Sequence, residues 1–289
     1  MGILKKFIKS AVYHEPLPIR RDVRFNLPAE RIADWHTPAG PIFTALLNTF
    51  SIVLPIGERF FIDAVRAHHD LVQDPELQKA VTAFIGQEAM HGREHEEYND
   101  ALFARSLIAP KFEALVLEIF GLIKQHLPAY FWLSGTIALE HFTALLADSV
   151  LRTPELFEGA EEHYANIWWH AFEETEHKAV AFDVWNNAMG HGPYAYAIRS
   201  FGLIIATIVF WGLVIPVFLN IVKGEKKLSD FSSWKKAYRY TFGEIGALRK
   251  QLGNYIDYFR PSFHPWDHDN RIYMEQMEQL IYQLAEKKS

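Results

Sequence analysis

The chain contains no cysteine. That excludes disulfides, thiolate metal ligands and cysteine nucleophiles, and it fits a reducing, cytoplasmic setting. Basic residues are not in excess: 29 Lys and Arg stand against 35 Asp and Glu, a net charge of −6 with no dominant basic stripe. A nucleic-acid partner is therefore not expected. Period-two alternation is nearly missing, so a sheet is not expected either. There is no internal repeat and no low-complexity tract. No cleavable leader is expected, because MGILKKFIKSAVYHEP has lysines but only scattered apolar residues before Pro16.

What is present is helical periodicity. Its 289 residues, 49% of them hydrophobic, can bury a sizeable core. Apolar residues recur at three- and four-residue intervals, and the breaks between runs carry Pro or Gly. The pattern predicts helices over 43–72, 75–103, 110–127, 129–151 and 156–189. A polar helix from about Ser232 to Phe259, a loop RPSFHPWDHDN and a last helix to Glu286 follow. The expected fold is all-α, with an extension at 1–40, a bundle at 41–190 and further helices at 191–289. One run stands apart: residues 201–222 are 22 uncharged positions, the ~20-residue length of a membrane span. It is expected either to pack on the bundle or to contact a membrane.

Ionisable residues cluster where the helices are otherwise apolar. In HAFEETEHKAVAFD, His170, Glu174 and His177 fall within about 60° of one another on one helical face. Glu174-x-x-His177 is the i, i+3 pair with which helical bundles hold a dinuclear metal centre. The pair recurs as Glu88-x-x-His91 in QEAMHGREH, with His95 one turn on. Such a centre also needs a glutamate from each of two partner helices, and Glu58 and Glu140 lie in apolar helices ahead of the two pairs. A carboxylate among such neighbours is costly to bury unless paired or metal-bound. The spacing agrees. Glu58 lies about 16 residues before the Asp74-Pro75 turn and Glu88 lies 13 after it, so at ~1.5 Å per residue both reach a similar height. Glu140 and Glu174 bracket the Thr153-Pro154 turn in a similar way, and the 48 residues between His91 and Glu140 allow a long crossover.

The order E, ExxH, E, ExxH resembles the ferritin-like superfamily of di-iron and di-manganese carboxylate proteins. LPIGERFFIDAVR, FIGQEAMHGREH, LEHFTA and WWHAFEETEHKAVAFDVW are more closely similar to a bacterial family of predicted metal-dependent hydrolases. The resemblance implies a ferritin-like four-helix bundle with a long crossover, and metal ligands at Glu58, Glu88, His91, Glu140, Glu174 and His177. HxxxExxH is similar to the arylamine N-oxygenases, which implies a seventh ligand at His170. His95 is expected behind the ligands, hydrogen-bonded to a ligand carboxylate. Glu173 and Glu176 are expected to be a solvated pair or a pair behind the ligands, and His141 to pack. His264, Asp267, His268 and Asp269 are expected to form a polar loop.

Carboxylate and imidazole donors suit iron or manganese, and four carboxylates balance two divalent charges. The expected cofactor is two iron ions, with manganese or a mixed iron–manganese pair as substitutes. The function expected on this resemblance is a dinuclear non-haem iron oxygenase or oxidase acting on an apolar or aromatic small molecule, N-oxygenation included. It would use dioxygen and an electron donor, and a homodimer is compatible with it. The alternatives are a hydrolase using metal-activated water and a non-catalytic or ferroxidase-type metal protein. The expected location is cytoplasmic, with membrane association through 201–222.

Overall fold

The computed structural model describes residues 16–26, 32, 35–104, 109–274 and 279. The leader reading and most of the helix to Glu286 lie outside these. Among the described residues the regular structure is entirely helical. Helix α1 (Pro41–Arg66) starts at Gly40, whose φ of 87° suits glycine, with Pro41 in its first turn. Helix α2 (Pro75–Phe103) is capped by Asp74, whose carboxylate accepts from Glu76 N at 2.8 Å. Helix α3 (Ala109–His126) ends before Pro128, and α4 (Ala129–Arg152) ends before Pro154.

The next expected helix is shorter than its periodicity suggested. The chain winds through a 3₁₀ turn at Pro154–Leu156 and through Gly159 at φ 73° before α5 begins (Ala165–His177). It then breaks at Lys178 and Ala179, and α6 (Val180–Met189) resumes. The break aims the buried Lys178 at the HPWDHDN loop, where its ammonium donates to His268 O at 2.7 Å and Asn270 Oδ1 at 2.8 Å. The apolar run lies inside α7 (Pro193–Gly224). The expected single helix from Ser232 to Phe259 is instead α8 (Phe231–Thr241) and α9 (Leu252–Asp257). Gly243 and Gly246, the latter at φ 64°, carry the turn between them.

Hairpins α1–α2 and α4–α5–α6 pack together, α1 against α4 and α2 against α5 and α6, while α3 makes the crossover. The seam buries Phe60, Phe84, Leu133, Ile137 and Trp185, each worth about 1.5–3 kcal/mol for a large apolar side chain. Helix α7 lies across α1 and α4. Its backbone approaches α4 so closely that a Cβ at Gly202 would stand 2.1 Å from Ser134 Oγ. Both α1 and α7 are long and apolar enough to cross a membrane. They differ in burial: the apolar window of α1 is 67% buried as a core helix, and that of α7 only 22%.

Candidate metal centre

Four helices carry ionisable side chains to one place in the core. Helix α1 supplies Glu58, α2 supplies Glu88 and His91, α4 supplies Glu140, and α5 supplies His170, Glu174 and His177. None is more than 6% exposed. Donor atoms lie within 4.8 Å of one another in four triads: Glu58–Glu88–His91, Glu88–Glu140–His177, His91–His170–Glu174 and Glu58–His95–His170. Glu88 belongs to two of these triads, as do Glu58, His91 and His170, so the groups overlap in one continuous cluster of donors.

The shortest approaches are His170 Nε2 to Glu174 Oε1 at 3.0 Å and His177 Nε2 to Glu88 Oε1 at 3.1 Å. Glu174 Oε2 lies 3.6 Å and Glu140 Oε2 3.8 Å from His177 Nε2. His170 Nε2 is 3.9 Å from Glu58 Oε1, and its ring stacks on His91 with centroids 4.0 Å apart.

Both carboxylate oxygens of Glu58, Glu88 and Glu140, together with Glu174 Oε2, His91 Nδ1 and His177 Nε2, have no hydrogen-bond partner of good geometry. At about 1–3 kcal/mol for each such buried group, the set is comparable with the ~5–15 kcal/mol by which a domain is stable at all. Burial, then the neighbouring carboxylates, hold Glu58 and Glu140 well above the usual carboxylate range. Burial likewise raises Glu88 and pushes His91 and His95 well down. Burial also opposes charge on Glu174, yet His177 and His170 hold it well below its ordinary value. Cations held among these donors would satisfy them together, and four carboxylates would balance two divalent charges. The donor set fits a metal pair.

Side chains behind these donors fix their direction, as they do in metal sites generally. His91 Nε2 is 3.1 Å from Glu173 Oε2, which leaves Nδ1 facing the cluster. His177 Nδ1 is 2.9 Å from Gln87 Oε1, which leaves Nε2 inward. His170 Nδ1 meets His95 Nε2 at 2.7 Å, and His95 Nδ1 meets Ser51 Oγ at 2.8 Å. His95 thus contacts an imidazole, not the carboxylate expected of it. Its other ring nitrogen is already taken by Ser51, which itself donates to Asn99.

Glu173 and Glu176 are buried, which removes the solvated alternative. Arg21 bridges them, at 3.3 Å to Glu173 and at 2.9 and 3.0 Å to the two oxygens of Glu176. Burial pushes Glu173 up to about 8 against the pull of Arg21. The segment 16–26 straps this corner, with Ile19 N donating to Glu176 and Phe25 N to Glu94. Arg21, Gln87 and Ser51 were not picked out by sequence pattern. Gln87 is adjacent to Glu88, but nothing local marks Arg21, more than 150 positions from its partners.

His141 packs against Tyr258 and Phe263, away from the centre. In the HPWDHD loop, His264 meets Asp183, His268 meets Asp257, and Asp267 pairs with Arg260. These residues form no metal-binding triad among the described residues.

A family model described as predicted metal-dependent hydrolase matches residues 19–269. No curated protein and no solved structure matches the chain.

Proposed function

Because the chain belongs to the predicted metal-dependent hydrolase family, we propose that it is a dinuclear metal-dependent hydrolase acting on an apolar substrate. The observation that carries the reading is the set of buried, unpartnered carboxylate and imidazole donors on four helices. We take the arrangement as a ferritin-like bundle, with Glu58, Glu88, His91, Glu140, Glu174 and His177 as core ligands and His170 as a seventh. A bound pair of divalent ions would supply Lewis acidity and an activated water, or redox chemistry toward dioxygen if the ions are iron.

The chain's own residues do the positioning. Glu173, Gln87 and His95 orient His91, His177 and His170. Phe84 and Trp169 pack edge-on against His177 and His91 and keep water from that side. A cavity of about 100 Å³ reaches His170 and Glu174 from the opposite side, walled by Phe43, Phe50, Leu54 and Leu146. That wall supports an apolar substrate.

The second reading is oxidation of an apolar compound by a di-iron centre, N-oxygenation included. It is favoured by the carboxylate-rich donor set and by His170 one turn ahead of Glu174. The two readings separate in one experiment. Zinc-loaded and ferrous-loaded protein are compared for cleavage of an apolar nitrophenyl ester and for oxygen uptake. Hydrolysis predicts ester turnover with zinc. Turnover confined to the ferrous form, with oxygen consumed, would replace the hydrolase by the oxidase.

A further inference from the structure

A second, larger cavity of about 370 Å³ lies between α1, α3, α4 and α7, within the ~300–1,000 Å³ of small-molecule sites. Among the described residues no charged side chain lines it. The hydroxyls of the described lining residues are already committed: Ser134 Oγ donates to Ile198 O at 3.0 Å and Thr143 Oγ1 to Glu140 O at 3.0 Å. Nothing in it would orient a polar ligand, so what fits is hydrocarbon. Phe50, Leu54, Thr143 and Leu146 line both this cavity and the smaller one at His170 and Glu174. These four side chains are the wall between the large cavity and the smaller one beside His170 and Glu174, so the two spaces lie one side chain apart.

The other end of the cavity reaches the surface. Leu127, Phe201 and Ile205 line it and are also exposed, at 43%, 58% and 42%. They belong to an apolar surface that continues along α7 through Ile208, Ile215 and Leu219. With one face packed on α1 and α4, α7 cannot cross a bilayer alone, but its free face can lie in one. Charge beside it fits an anionic surface: from Lys223 to Lys250 there are eight Lys and Arg and three Asp and Glu, in a chain of net charge −6. Helix α8 adds exposed Phe231 and Tyr238.

We propose that the cavity holds one long alkyl chain of a lipid, taken up from a bilayer in which the free face of α7 lies, with the lipid's reactive group against His170 and Glu174. Only the placement of the reactive group rests on the metal-centre reading. Chain binding and bilayer contact stand without it.

The test uses the full-length protein with and without added zinc. Binding of cis-parinaric acid, a fluorescent fatty acid, is followed by titration, and flotation is followed on phosphatidylglycerol and phosphatidylcholine vesicles. The probe should bind in both metal states and be displaced by palmitate but not by butyrate. Leu139→Trp and Leu213→Trp, which fill the cavity from two different helices, should each weaken it about tenfold or more while the helical circular dichroism is kept. Ile208→Glu with Ile215→Glu should abolish flotation on phosphatidylglycerol vesicles and leave probe binding intact. The proposal is overturned if butyrate competes as well as palmitate, or if neither filling variant that folds alters binding. It is also overturned if the protein stays off phosphatidylglycerol vesicles, whether as a monomer or as a dimer paired through α7. Failure to bind metal with probe binding retained would sink the dinuclear-centre reading and leave the lipid site standing.

Discussion

Replacing Arg21 by Met keeps most of the side chain's length and removes the guanidinium. Its hydrogen bonds go with it, two to Glu176, one to Glu173 and one to Ile19 O, and two buried carboxylates lose their shared cation. Breaking a buried pair from one side costs about 3–5 kcal/mol. For a chain this long that lowers Tm by about 6–10 °C, at about 2 °C per kcal/mol. The deficit should depend on pH. The folded-state carboxyl of Glu173 sits near 8, above its ordinary value, so its ionisation costs the fold stability as pH rises from about 4.5 to 8. Arg21 opposes that cost, so the variant's deficit should grow from pH 5 to pH 8. Thermal melts by circular dichroism at both pH values, for Arg21→Met, Glu176→Gln and the double variant, measure it. The double variant should lose less than the sum of the two single changes. A single-variant loss below about 1 kcal/mol, or additivity within about 0.5 kcal/mol, refutes the argument.

His170→Ala should leave most metal binding in place and weaken one of the two ions by about 10–100-fold, read by competition with a chelating dye; unchanged affinity for both ions would remove His170 from the centre. Burial lowers His141 to about 3, so folding needs it neutral, and its contribution, full above its ordinary value of 6.5, is lost as pH falls toward 3. In His141→Phe the drop in urea stability between pH 6.5 and pH 4 should shrink by roughly 3 kcal/mol, and an unaltered pH slope would contradict that. Gly202→Ala drives a methyl into Ser134 on α4 and should cost about 1–3 kcal/mol. Gly202→Ala combined with Ser134→Gly should recover part of that loss, and no recovery would place the strain elsewhere.

Much of the fold was legible because Pro and Gly sit at its turns. Asp74-Pro75, Leu127-Pro128 and Thr153-Pro154 mark helix ends that the structure keeps within a few residues. The seven candidate residues converge because hairpin geometry sets their heights, and heights follow from counting residues. What could not be read locally were the interruptions and the long-range partners. The breaks at 178–179 and after Thr241 depend on Lys178 meeting the 264–270 loop and on Gly246 taking a positive φ. For Glu173 and Glu176 on the outer side of α5, local pattern leaves a solvated pair and a pair behind the ligands equally open, because the strap carrying Arg21 comes from far along the chain. Periodicity reports which residues are apolar. It does not report which charged residues will be buried together.

The most direct test of the account is the metal content of the folded chain. Protein loaded anaerobically with ferrous iron or with zinc, then desalted, is analysed by mass spectrometry for metal per chain. We predict about two ions per parent chain and the loss of at least one in the double variant Glu88→Ala, Glu174→Ala. A folded parent that retains no ion, or a double variant that retains both, would contradict a dinuclear centre built on these helices.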